Sequence, residues 1–166
     1  MKKIIAILIC ILMSATVFRT CVTADAQDAQ NTEYTEYAEE EGLLIELGVI
    51  ADNYRTQGPL TRAQFIKSVV NVLPVEFDLS EEYERFIDVP SNHEAYMYVN
   101  KAYEMGYISG YGGMFYPDRK ISFEDASVIF CKIMGLDYYA KALNGYPYGY
   151  YNAAKKFGIF KGLKTD

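Results

Sequence analysis

Apolar residues recur at three- and four-residue steps in several separate stretches of the chain, with glycine-rich or proline-bearing breaks between them. In one stretch Ala95, Val99, Ala102 and Met105 form a single stripe that stops at Gly106. In two others, Phe65, Val69 and Val72 match Ala126, Ile129 and Ile133 as inward faces. This period predicts amphipathic helices, and a glycine after the last periodic residue supplies the left-handed cap that ends one. Helix starts are signalled as well. Thr61 with Gln64, and Ser91 with Glu94, have capping-box spacing: the hydroxyl accepts a first-turn N–H and the residue three positions on reaches back. Ser122 with Asp125 is a weaker version of the same signal.

The breaks repeat too. Phe86-Ile87-Asp88-Val89-Pro90 opens a unit that passes Met105-Gly106-Tyr107-Ile108, turns at Gly110 to Pro117, and closes with a helix from about Ser122. Upstream, Leu47-Gly48-Val49-Ile50 precedes the turn Gln57-Gly58-Pro59 and a helix beginning at Leu60 to Phe65; downstream, Phe157 to Gly162 repeats Met105 to Gly110. Gly48, Gly106 and Gly158 are spaced roughly 50 to 60 residues apart, as in helix-pair repeats. The expected fold is all-α, with each unit a helix, a glycine-rich loop and a second helix. Repeat 1 covers residues 36–79, repeat 2 residues 80–137, and a partial repeat 3 residues 138–166. In the third, Tyr151, Ala154 and Phe157 are expected to face inward, and the second helix is missing. Neither helix of a pair can bury its stripe alone, so neighbouring units must pack into one bundle. Repetition on this scale builds a modular surface in place of a single catalytic cleft.

Lys2 and Lys3, an apolar run from Ile4 to Met13 and small residues up to Ala24 have the layout of a secretory signal peptide, residues 1–24. The uncharged run is shorter than the roughly 20 residues of a membrane-spanning helix, so no membrane association is expected after cleavage. Cys21 lacks the small apolar residues that precede a lipidated cysteine. Residues 25–35 read as a polar, flexible leader. The chain has 16 basic and 22 acidic residues and a net charge of −6. Cleavage would remove three basic residues and no acidic ones, leaving about nine net negative charges, which speaks against nucleic acid as a partner. It would also leave Cys131 alone among apolar neighbours, so packing and not a disulfide must stabilise the fold.

No cluster has the spacing of a metal or cofactor site, and no nucleophile stands with a base. Gly110-Tyr111-Gly112-Gly113 has no following lysine and reads as a two-residue glycine turn. Asp88 and Asp118 occupy turn positions where aspartate bonds the backbone, and the sole histidine, His93, suits a local hydrogen bond at a helix start. Glu39-Glu40-Glu41 reads as a solvated helix face. The 16 tyrosines are read mainly as packing residues, with Tyr111 a candidate for facing a ligand. The expected protein is therefore not an enzyme.

The repeated residues resemble the S-layer homology repeat, a surface-anchoring module of bacteria with the pattern F-x-D-V-x-x-x-H-W-A, then G-I-I-x-G, G-Y-x-D-G-x-F-x-P and I-T-R-A-E-F. Phe86, Asp88, Val89, His93 and Ala95 match the opening, Gly106, Ile108 and Gly110 the middle, and Tyr111, Gly113, Phe115 and Pro117 the loop. Leu60 to Phe65 matches the last signature, with Gln64 for glutamate. The resemblance covers residues 38–166. It implies a pseudo-threefold bundle, secretion to the cell wall, and binding of a wall polysaccharide that often bears a pyruvylated sugar. Arg62, at the signature arginine, becomes the leading candidate contact for an anionic sugar, joined by Gly110 and Tyr111. Further similar segments or another chain would complete the bundle. The chain departs from the pattern at Phe123, where an arginine is expected, at the loop, which lacks its aspartate, and at Glu94, which stands for tryptophan. Those departures suit an alternative: a degenerate structural or protein–protein module without glycan binding.

Overall fold

The computed structural model describes residues 45–46, 60–73 and 84–159. The signal segment, the leader, the Gly48 and Gly58 turns and Gly162 lie outside the described residues. Five bounded helices fall inside them: α1 Arg62–Asn71, α2 Tyr96–Glu104, α3 Phe123–Ile133, α4 Asp137–Ala142 and α5 Tyr148–Lys156. Among the described residues there is no extended strand, only two isolated antiparallel bridges, and the fold is all-α as the periodicity predicts.

The cap of α1 is the one its sequence announces. Thr61 Oγ1 accepts from the Gln64 amide at 3.1 Å, and Gln64 Oε1 accepts from the Thr61 amide at 2.9 Å. At α3, Ser122 Oγ accepts from the Asp125 amide at 3.1 Å, while the Asp125 carboxylate turns elsewhere. Gly106, Gly135 and Gly158 all have positive φ near 72°. After α2, the Gly106 and Tyr107 amides donate to the Tyr103 and Ala102 carbonyls, which closes the open end of the helix.

Three expectations need correction. The Ser91–Glu94 capping box does not form: α2 begins at Tyr96, and its cap position is Ala95. Pro90 to Tyr96 runs instead as two successive tight turns, His93 to Pro90 and Tyr96 to His93, and the imidazole Nδ1 of His93 accepts the Ala95 amide at 3.0 Å. The local bond expected of His93 is present, and no side chain caps the first turn of α2. Between α3 and α5 lies a short helix, α4, that the periodicity did not show. Its neighbour α5 buries Tyr150, Ala153 and Ala154, whereas Tyr151 is half-buried and Phe157 exposed. A helix that packs against both α3 and α4 presents a face broader than one three-residue stripe.

The core joins all five helices, with Phe65, Val69, Val70, Val99, Ala102, Phe115, Phe130 and Cys131 almost wholly buried. Phe65 of α1 meets Phe130 of α3 edge to face at 5.3 Å, a geometry aromatic pairs favour. α2 packs on α1, while α3, α4 and α5 pack on one another. The α4–α5 contact is closed by Gly149, because a Cβ there would run into the carbonyl oxygens of Ala140 and Leu143.

Candidate functional site

The starts of α1 and α3 are tied to each other by backbone. Ile121 donates to the Leu60 carbonyl at 2.9 Å, and Thr61 bridges Lys120. The first-turn amides of α1 are used up locally: Arg62 N donates to the Arg119 carbonyl at 2.8 Å and Ala63 N to the Pro117 carbonyl at 3.0 Å. These are the donors that a helix leaves free for an anion. Here loop carbonyls take them.

Beside this junction lies an open groove of about 300 Å³, walled by Arg62, Tyr107, Ser109, Asp125, Lys132, Tyr146 and Tyr150 over an apolar base that includes Val128 and Ile129. Arg62 is turned into the wall, with only 10% of its side chain exposed. Its Nε donates to the Phe115 carbonyl at 3.0 Å, its Nη1 to Asp125 Oδ2 at 2.7 Å, and its guanidinium lies 4.7 Å from the Phe115 ring centre. Burial pushes its pKa down and Asp125 pushes it up; arginine titrates so high that the cation persists. Arg119 Nη2 reaches the same Asp125 oxygen at 2.8 Å, and its side chain is 58% exposed.

Farther along, Lys132 Nζ donates to the Gly106 carbonyl at 2.9 Å; burial lowers its pKa and Asp137 counters that. The Tyr150 hydroxyl donates to Asp137 at 2.6 Å. Lys141 and Tyr150 together hold the Asp137 carboxyl below its ordinary value. Tyr146 is raised by burial and by nearby Asp125 and Glu124. Among the groove's lining residues Arg62 and Lys132 stand against Asp125 alone, a local excess of positive charge on a chain of net charge −6. Tyrosine faces, cations and a half-apolar floor suit a polar, partly anionic ligand with ring faces to stack.

A model of the S-layer homology domain matches residues 85–127. Residues 85–127 are an S-layer homology domain. A protein named Cell surface protein from Thermoanaerobacter kivui is 36% identical over 126 residues, covering 73% of this chain and 16% of that relative. The chain thus spans about a sixth of the relative's length. No solved structure matches the chain.

The domain's signature residues have separable tasks. Phe86 packs on Phe115 and Tyr103 at 5.6 and 5.5 Å. Asp88 clamps the loop onto the unit's opening, its two oxygens accepting the Phe115 and Tyr116 amides at 2.8 and 2.6 Å. Gly110 allows that packing, since a Cβ there would collide with the Phe86 ring and sit 2.6 Å from the Met114 carbonyl. Tyr111 and Met114 exchange backbone hydrogen bonds around Gly112 and Gly113, both with positive φ. This is the expected two-residue glycine turn. Of the three predicted contacts, Arg62 lines the groove, while Gly110 and Tyr111 do not. Tyr111 stands at the turn, 81% exposed.

Sequence reasoning missed Lys132, Tyr146 and Tyr150 as wall residues and Arg119 as a second partner of the wall residue Asp125, and took Asp125 only for a cap. The spacing of Ser122 and Asp125 is a helix-start signal whichever way the carboxylate turns. No pattern along the chain pairs residue 125 with residue 62. At Phe123, where the domain's pattern places an arginine, the ring packs on Tyr151 at 5.7 Å.

Proposed function

We propose that this chain is a non-catalytic anchoring module, exported by residues 1–24, that holds its parent protein at the cell surface by binding a secondary cell-wall polysaccharide. The observation that carries this reading is the positively biased, tyrosine-walled groove beside an S-layer homology domain in an otherwise acidic chain. Long-range repulsion between an acidic protein and an anionic polymer is screened beyond about 8 to 10 Å at physiological salt, so the groove's own charges govern contact. Arg62 supplies its buried positive charge, and Tyr111, exposed at the glycine turn outside the groove, offers a second stacking face. Gly110 contributes by letting that turn seat on Phe86. The glycan that fits is one carrying an acidic substituent, such as a pyruvylated sugar.

Co-sedimentation of the chain with purified wall polysaccharide tests the reading. Retention of the wild type, weakened in Arg62→Ala, is expected; absence of retention overturns it. A structural or protein–protein role is the second reading, favoured by the Phe123–Tyr151 contact where an arginine would otherwise stand. A stable oligomer in solution combined with no glycan affinity would establish that reading in place of the first.

A further inference from the structure

Two arginines converge on one oxygen of Asp125, and they are held very differently. Arg62 is fixed from three sides, by the Phe115 carbonyl, the Phe115 ring and Asp125. Arg119 is more than half exposed, and its guanidinium meets Asp125 Oδ2 at 2.8 Å and the ring of Tyr116 at 5.9 Å. A guanidinium has five N–H donors in a planar fork, so Arg119 keeps donors to spare, whereas a single carboxylate oxygen is shared between two cations. Breaking a buried pair is costly and releasing an exposed one is cheap. An arriving carboxylate therefore displaces Asp125 from Arg119 far more easily than from Arg62.

We infer that Arg119 is the residue that grips the acidic substituent of the saccharide, and that Asp125 sets the groove's specificity by holding Arg119 at the rim until a ligand carboxylate replaces it. Arg62 keeps Asp125 in place throughout and is a positioning residue. The inference rests on the groove being the glycan site. It predicts that acidic sugars are preferred over neutral ones of the same shape, because a neutral sugar cannot compete with the carboxylate already present. Glu124 and Asp137, the other carboxylates of this neighbourhood, act on Tyr146 and Lys132.

The test is a calorimetric and NMR titration of the chain with digalacturonate, a two-unit uronic acid, against neutral galactobiose. Digalacturonate is expected to bind more tightly, moving the Arg119 Nε–H signal while that of Arg62 stays in place. Arg119→Gln should weaken uronate binding about tenfold, the scale of one charge-assisted bidentate contact, and leave galactobiose binding unchanged. Asp125→Asn still offers Arg62 an acceptor but removes the competing charge, and should tighten uronate binding about threefold to tenfold. A thermal melt of each variant verifies folding; Arg119→Gln, at an exposed site, keeps the wild-type midpoint. No preference for uronate, or an Arg119→Gln chain that binds it as well as wild type, overturns the inference. If wall polysaccharide retains the chain while digalacturonate does not bind, this inference falls and the anchoring reading stands; if neither is held, both fall.

Discussion

The starts of α1 and α3 are built on one plan and finished with opposite chemistry. When Thr61 is aligned with Ser122, Phe65, Ile66, Ser68, Val69 and Val70 pair with Ala126, Ser127, Ile129, Phe130 and Cys131, and both sets are buried. Large and small residues trade places across the pair: Phe65 faces the register of Ala126, and Phe130 that of Val69. The two rings then meet at the shared seam. The first helical position breaks the likeness. Arg62 is buried in a polar junction with Asp125, whereas Phe123 is half-buried against Tyr151. A common burial register therefore fixes how the helices stack, and the residue just after the cap decides whether the junction becomes a charged groove or an apolar seam.

The seam itself is the first thing to break. Phe130→Ala removes a ring shared by both helices and should cost about 3–5 kcal/mol, read as a large drop in the melting midpoint. Arg62→Ala attacks the polar junction alone. Asp125 keeps Arg119, so the loss should be nearer 2 kcal/mol than the full cost of a broken buried pair, by chemical denaturation. Asp88→Asn gives one of the two loop amides a neutral acceptor and leaves the other facing an NH2 donor, and should cost about 1.5–3 kcal/mol, with the 110–117 turn exchanging amide hydrogens faster. Phe123→Ala probes the apolar junction, and with the ring only half-buried a loss of about 1–2 kcal/mol is expected. Equal losses for Arg62→Ala and Phe123→Ala together with unchanged glycan retention in both would erase the functional contrast between the junctions.

The smallest effect is one of pH. Burial raises the Cys131 thiol from 9.0 to about 11, and its Sγ sits 3.4 Å from the Tyr150 carbonyl. The raised folded-state value means that this thiol's contribution to stability is fully present below pH 9.0 and is lost as pH rises through about 11. Denaturation midpoints at pH 8 and pH 10.5 should differ, and Cys131→Ala should reduce the difference.

Legibility in the sequence followed the range of each interaction. The caps of α1 and α3, the glycine after α2, the glycine turn and the local bond of His93 all depend on residues within a few positions, and each was readable. The start of α2 was misplaced because Ser91 and Glu94 have capping-box spacing, while the backbone from Pro90 to Tyr96 is spent on two tight turns that delay the helix to Tyr96. The inward face of α5 was misjudged because α5 packs on two helices, and α4, only six residues long, is too short for a period to show. Arg62 was visible as a candidate, but its partner was not.

By itself the sequence determined the helical period, the caps of α1 and α3 and the excess of acid, because each is a property of neighbours along the chain. Tertiary structure alone decided that Asp125 would leave its cap role for two arginines, one of them 63 residues away, and that loop carbonyls would occupy the α1 amides. Those are contests between partners brought together only by folding. Their outcome depends on distance and burial, which no local pattern encodes.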